Sequence, residues 1–154
     1  MDEQIWNGLL HIYLDNQKTH PKTMNVLDPI FTSMNENQHT SFLCGLLNYE
    51  YCGNRPFLES FINMITDSAR FADINKVVVT TQDHYIDCLI SDGKLSIIIE
   101  NKVCGAVDQD KQLETYIYNQ EQRGIPLNHI YLVYLTLTGG SPNPNSISKK
   151  ILKF

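Results

Sequence analysis

Two carboxylates and a lysine lie in the most strand-like part of the chain. Asp87 sits within Tyr85-Ile86-Asp87-Cys88-Leu89-Ile90, and Glu100 and Lys102 end the run Ile97-Ile98-Ile99-Glu100-Asn101-Lys102. Between the two runs stands Asp92-Gly93, the short hairpin signal. Read as a two-residue type I′ turn, it sets Ser91 opposite Lys94, Asp87 opposite Ile98 and Tyr85 opposite Glu100. Opposed side chains share a face and alternate along each strand, so Asp87, Ile98, Glu100 and Lys102 point the same way. Asp87 and Glu100 are then diagonal neighbours, roughly 7–8 Å apart at the backbone, and can converge on one divalent cation. Lys102 follows on the same face. A three-residue loop would reverse the parity and send Glu100 to the far side. The plain alternative is a solvent-facing side of a half-buried hairpin. Against it, Ile97-Ile98-Ile99 is apolar on both faces and reads as a central strand, where a charged trio needs a reason. Asn101 alternates to the opposite face, so its side chain is structural, while its main-chain carbonyl would complete the metal shell.

The elements that must position these groups follow from periodicity. Asp2 to about Asn16 carries Ile5, Leu9, Ile12 and Tyr13 at helical spacing, and prolines at 21 and 29 interrupt the next stretch. A helix starts near Ser33 or Asn35 and runs to Leu47. Tyr51 to Arg55 is a loop, and Pro56 opens a further helix through Ile65. The period then changes. Val77 to Thr81, Tyr85 to Ser91 and Leu95 to Lys102 are strands, Asp108 to Gln122 is a helix ended by Gly124, and Ile130 to Thr138 is a fourth strand. The segment 141–154 reads as loop and tail. The order is helices, three strands, helix, strand, which makes a mixed α/β (α+β) domain.

With these residues in place, the chain resembles the PD-(D/E)XK nuclease superfamily, whose fold is restriction-endonuclease-like with an αβββαβ core. Asp87, twelve intervening residues and Glu100-Asn101-Lys102 look like its D-(x)n-E-x-K signature. Glu36-Asn37-Gln38-His39-Thr40-Ser41 is similar to the E-x-x-H-S helix of one prokaryotic branch. Gln112-Leu113 with Tyr116 resembles that branch's Q-L-x-x-Y helix, and Tyr131 to Thr136 its last core strand. Ile86 stands where many members have proline. The likeness spans about residues 31 to 140, leaving 1–30 as a helical extension of a single domain, 1–154. The stop at Phe154 reads as either a minimal or a truncated member.

The resemblance implies Mg²⁺-dependent hydrolysis of phosphodiesters (Mn²⁺ as substitute), DNA before RNA, in phage defence or mobile-element biology. Asp87, Glu100, Lys102, Glu36 and Gln112 would be catalytic, and Asp87, Glu100, Asn101 and Glu36 would hold the metal. Mg²⁺ is content with a few carboxylates and several waters. Lys102 would position the nucleophile or stabilise developing charge. For Glu36 two readings stay open. Ser33-Met34-Asn35-Glu36 has the form of a capping box, yet Glu36 also shares a stripe with Leu43 and can face inward. Gln112 would be plain helix surface were it not for the resemblance, which puts it at the edge of the site.

Composition bounds the rest. The 154 residues fit one domain, with 42% hydrophobic and 10% aromatic residues. Twelve Lys and Arg against seventeen Asp and Glu give −5, which excludes a general polybasic nucleic-acid binder. A polyanion would have to be met by a gathered patch, for which Lys102, Lys111, Arg123 and Lys149-Lys150 are the candidates. The four cysteines form no C-x-x-C pair, and the five histidines have no zinc spacing. The N-terminus, Met1-Asp2-Glu3-Gln4, is acidic where a signal peptide would be basic, so the expectation is a cytoplasmic protein with no membrane partner. A homodimer or a protein partner stays open. So do two rivals to catalysis: a silent binding module for nucleic acid or protein, and an assembly subunit of a larger system.

Overall fold

The computed structural model describes residues 35–65, 71, 73–103 and 107–148. The expected helix of Asp2 to Asn16 lies outside them, as do Lys149 and Lys150. The chain divides after Met34, and everything below belongs to the unit Asn35–Phe154.

Helix α1 covers Glu36–Asn48 and α2 covers Pro56–Ile65. The capping box of α1 starts at Asn35, two residues on from the expected Ser33. Asn35 accepts from the Gln38 N–H at 3.0 Å, and the Gln38 side chain accepts from the Asn35 N–H at 2.9 Å. Glu36 is therefore the first helical residue, and the capping pair is Asn35 with Gln38. Strand β1 is Val78–Asp83, β2 Ile86–Ser91, β3 Ser96–Asn101 and β4 Ile130–Leu135, with α3, Gln112–Gln122, between the last two. The strands form one sheet in chain order. The first three pair antiparallel, and β4 runs parallel to β3 after the α3 crossover.

The β2–β3 turn corrects the expected register. Ser91 pairs with Ser96 and Cys88 with Ile99, so the loop is the four residues 92–95. The Asp92 side chain sets that length. Its Oδ1 accepts from the N–H groups of Lys94 and Leu95, both at 2.9 Å, while Gly93 supplies φ 83°. Relative to a two-residue turn the pairing moves by two, an even step, so the faces are unchanged. One pair beyond Cys88 and Ile99, Asp87 now stands across from Glu100 itself rather than diagonal to it.

Each face of the sheet has its own core. Cys88, Ile90, Ile97 and Ile99 pack with Cys44 and Leu47 of α1 and Leu58 and Ile62 of α2. Leu89 and Ile98 pack with Leu113, Tyr116 and Ile117 of α3 and with Ile147. Every residue of β3 is buried, as its unbroken apolar run requires of a central strand. Arg55, assigned to a loop by its sequence context, is buried and ties α1 to the start of the sheet. Its guanidinium donates to the carbonyls of Leu47, Ile74 and Val77 and to Asn48 Oδ1.

Helix α3 begins later than the expected Asp108. The segment after β4 explains this, because it returns to cover the helix start. Asn145 O accepts from Lys111, and Ser146 O accepts from Leu113 and Glu114. Ser146 and Ile147 of this segment are therefore buried, at 0% and 2% exposed, although no strand or helix forms there among the described residues.

Candidate active site

The site lies where β2 begins and β3 ends, on the α3 side of the sheet. Asp87 is half-buried and Glu100 is 1% exposed. The backbone N–H of Asn101 donates to Asp87 Oδ2 at 2.8 Å. On Glu100, Oε1 takes two donors, Lys102 Nζ at 2.8 Å and Gln112 Nε2 at 3.0 Å. Its other oxygen, Oε2, is buried and has no hydrogen-bond partner among the described residues. Gln112 is fixed in turn. Its Nε2 also donates to Tyr116 Oη, its Oε1 accepts from the Gln109 N–H, and Tyr116 Oη donates to the carbonyl of Tyr85.

The electrostatics follow from this packing. Burial pushes the Glu100 carboxyl up to about 7, with the Lys102 hydrogen bond opposing and the charges of Asp87 and Asp108 adding to the rise. Asp87 is raised as well, by burial first, against the Asn101 N–H and the Lys102 charge and with Glu36 adding to the rise. Burial disfavours the Lys102 ammonium, but the hydrogen bond and charge of Glu100 outweigh it and leave Lys102 raised, Glu36 and Asp108 contributing. Burial takes Tyr116 to about 12. Two acids that resist ionisation, beside a lysine held charged, form a pocket that gains from a further cation.

Asn101 divides its roles as its place on the strand demands. Its Nδ2 donates to the Glu36 carbonyl at 3.3 Å and to Thr40 Oγ1 at 3.2 Å, on the α1 side. The start of α1 is thereby held at the end of β3. This puts the half-buried Glu36 near enough for its charge to act on both Asp87 and Lys102. Among the described residues no three of His, Cys, Asp and Glu converge as a ready metal cage. The donor set is a facing carboxylate pair, and it fits a hard divalent cation on one observation: a buried carboxylate oxygen is left without a proton donor.

Two residues near the site are given no site role by the sequence reading. Asp108 accepts from Tyr134 Oη at 2.9 and 3.0 Å and from the Asn143 N–H at 2.7 Å, and its charge acts on Glu100 and Lys102. Its only local signal is a carboxylate between Lys102 and Gln112, at the expected start of a helix. Tyr134 lies on β4, where an aromatic in a β-rich run reads as core; burial and the Asp108 carboxylate raise it to about 12. The expected basic patch is not assembled by Arg123, whose guanidinium grips Asp83 at 2.6 and 2.9 Å.

Comparison with curated proteins and with solved structures gives no match. A family model, that of the PD-(D/E)XK nuclease superfamily, matches residues 9–153. With the facing acids and the lysine at the ends of the two expected strands, the chain belongs to the PD-(D/E)XK nuclease superfamily.

Proposed function

We propose that the chain hydrolyses phosphodiester bonds of nucleic acid, DNA in preference to RNA, with Mg²⁺ held at Asp87 and Glu100. The observation that carries this reading is Glu100 Oε2, a buried acceptor with no donor on a carboxyl raised to about 7. Such an oxygen is costly to keep in an apolar site and is stabilised by a cation. The Asn101 carbonyl and Glu36 would complete the donor set.

A bound Mg²⁺ would supply positive charge to a phosphoryl oxygen as a Lewis acid. The remaining chemistry belongs to the chain. Lys102 Nζ is held beside Glu100 and can stabilise charge that develops on the phosphate, as positioned cations do. Gln112 and Tyr116 fix the Glu100 carboxylate, so its free oxygen keeps one direction. Asp87 is fixed by the Asn101 N–H.

The test is nicking of supercoiled DNA and cleavage of single-stranded RNA by the full chain with Mg²⁺, with chelator, and by Asp87→Asn. Calorimetric Mn²⁺ titration of both proteins accompanies it. We expect activity and Mn²⁺ binding in the wild type alone. Equal Mn²⁺ affinity in Asp87→Asn, or no cleavage of any nucleic acid by the wild type, overturns the reading and favours a silent module.

A further inference from the structure

The turn joining β1 to β2 has no task in the reading above. It is the two residues His84 and Tyr85, because Asp83 pairs with Ile86. Both have positive φ, 50° and 70°. A two-residue turn of this kind ordinarily takes Asn, Asp or Gly, since other side chains are crowded in the left-handed region. A bulky aromatic there is out of place for stability.

The ring of Tyr85 is in solvent, with 89% of the residue exposed. A single exposed aromatic needs no explanation by itself. The turn that carries this one is held at two points. Before the turn, Asp83 is gripped by Arg123 through two hydrogen bonds, with His84 Nε2 3.6 Å from its Oδ1. Within the turn, the Tyr85 carbonyl accepts from Tyr116 Oη at 2.7 Å. The same hydroxyl accepts from Gln112 Nε2, which also donates to Glu100. The backbone that carries the exposed ring is thus connected by hydrogen bonds, through its carbonyl, to the site carboxylate, two residues before Asp87.

We infer that Tyr85 is a stacking platform for an unpaired base next to the scissile phosphate, so that the substrate is single-stranded or locally unpaired nucleic acid. This rests on the nuclease reading and narrows its substrate class. In a duplex both faces of each base are covered by neighbours. A ring on a tight turn finds a free face only on a single strand, a frayed end or an extruded base. The anchored turn fixes the backbone from which the ring projects, so stacking has only the side-chain torsions left to order.

The test uses the full chain as wild type, Tyr85→Gly and Tyr85→Phe, with chelator present so that binding is read without turnover. The probes are a short fluorescein-labelled DNA single strand, the same sequence as blunt duplex, and a strand abasic throughout. Loss of the ring should weaken single-strand binding on the order of tenfold, the usual scale for one stacked base. Tyr85→Phe should bind as the wild type does. Neither variant should change binding to the abasic strand. Tyr85→Gly should melt at or above the wild-type temperature, because glycine relieves the positive φ. Equal single-strand affinity in Tyr85→Gly, an equal loss on the abasic strand, or wild-type preference for blunt duplex overturns the inference. A separate cleavage assay with Mg²⁺ reports on hydrolysis, so its failure is distinct from failure of the stacking site.

Discussion

Asn101 donates its backbone N–H to Asp87 Oδ2 at 2.8 Å, so the residue that follows one acid fixes the other. The ladder between β2 and β3 ends at Cys88 and Ile99. Beyond it, the last donor of β3 on that side is taken by a side chain, not by the backbone of β2. The facing acids are therefore held by the strand ends themselves, while Asn101 Nδ2 holds α1 from the other face.

Asp87→Asn and Asp87→Ala should consequently differ in stability though not in metal binding. Asparagine keeps an acceptor for the Asn101 N–H and removes a charge that repels Glu100. It should melt at or above the wild type in chelator at pH 8. Alanine leaves a buried N–H unpaired, which costs about 1–3 kcal/mol. It should melt below the asparagine variant. Thermal melts decide this, and equal melting of the two variants would mean that the hydrogen bond carries no weight.

The metal-free protein should lose stability as pH rises through neutrality. Glu100 is raised from 4.5 to about 7 in the folded state, so the fold holds this proton more tightly than the unfolded chain does. The stabilising contribution is complete below about pH 4.5 and is lost as pH rises through about 7, a swing of about 3 kcal/mol. Asp87, also raised, adds with the same sign. Asp83 has the opposite sign, since Arg123 lowers it, but that pair is half in solvent and weighs less. Glu100→Gln should flatten the dependence. Saturating Mn²⁺ should reverse it, because the cation takes the ionised form. Chelator melts from pH 5 to 8 with the same slope in wild type and Glu100→Gln would refute the assignment.

Much of this was legible because strands alternate. Ile97 to Ile99 marked the central strand, and parity put Asp87, Glu100 and Lys102 on one face whichever even-step register the turn chose. The turn itself was misread. Asp92-Gly93 is a two-residue signal, but Asp92 closes on Lys94 and Leu95 and lengthens the loop. Long-range hydrogen bonds left no local trace. Arg55 binds carbonyls of segments distant in sequence, Asp108 meets Tyr134 and Asn143, and the tail around Ser146 caps α3. Gln112 could be placed at the site only by resemblance, since its partners come from β3 and its own helix.

On the proposed function, Gln112 would act on the metal site through its hydrogen bond to Glu100, as a positioning residue. Gln112→Leu removes one of the two donors to Oε1 and frees Tyr116 Oη from its donor. Loss of such a supporting contact typically lowers metal affinity about 10–100-fold. Mn²⁺ titration should show that loss with the fold intact, and Tyr116→Phe should show a smaller one. The pH midpoint of Mn²⁺ binding should also move upward in Gln112→Leu, as Glu100 is left with one donor fewer. An unchanged midpoint together with unchanged affinity would reduce Gln112 to a surface residue.

Lys102 invites two readings that separate experimentally. Its Nζ lies 2.8 Å from Glu100 Oε1 with the side chain 10% exposed, so it is a charge partner in the metal-free protein. If that were all, Lys102→Met would lower stability and metal affinity, and lost activity would follow from them. A cation at the site also neutralises Glu100, and the lysine is then available to the phosphate. Lys102→Met should therefore melt lower at pH 8 in chelator, where Glu100 loses its partner, and near the wild type at pH 5.5, where Glu100 is protonated. With Mn²⁺ bound, affinity should be close to that of the wild type while the rate of nicking falls roughly 10²–10³-fold, the usual worth of a positioned electrostatic group. The fall should lie in kcat rather than KM, because the interaction strengthens as charge develops. Wild-type kcat in this variant, or a loss matched by unfolding at the assay pH, would leave Lys102 a structural partner only.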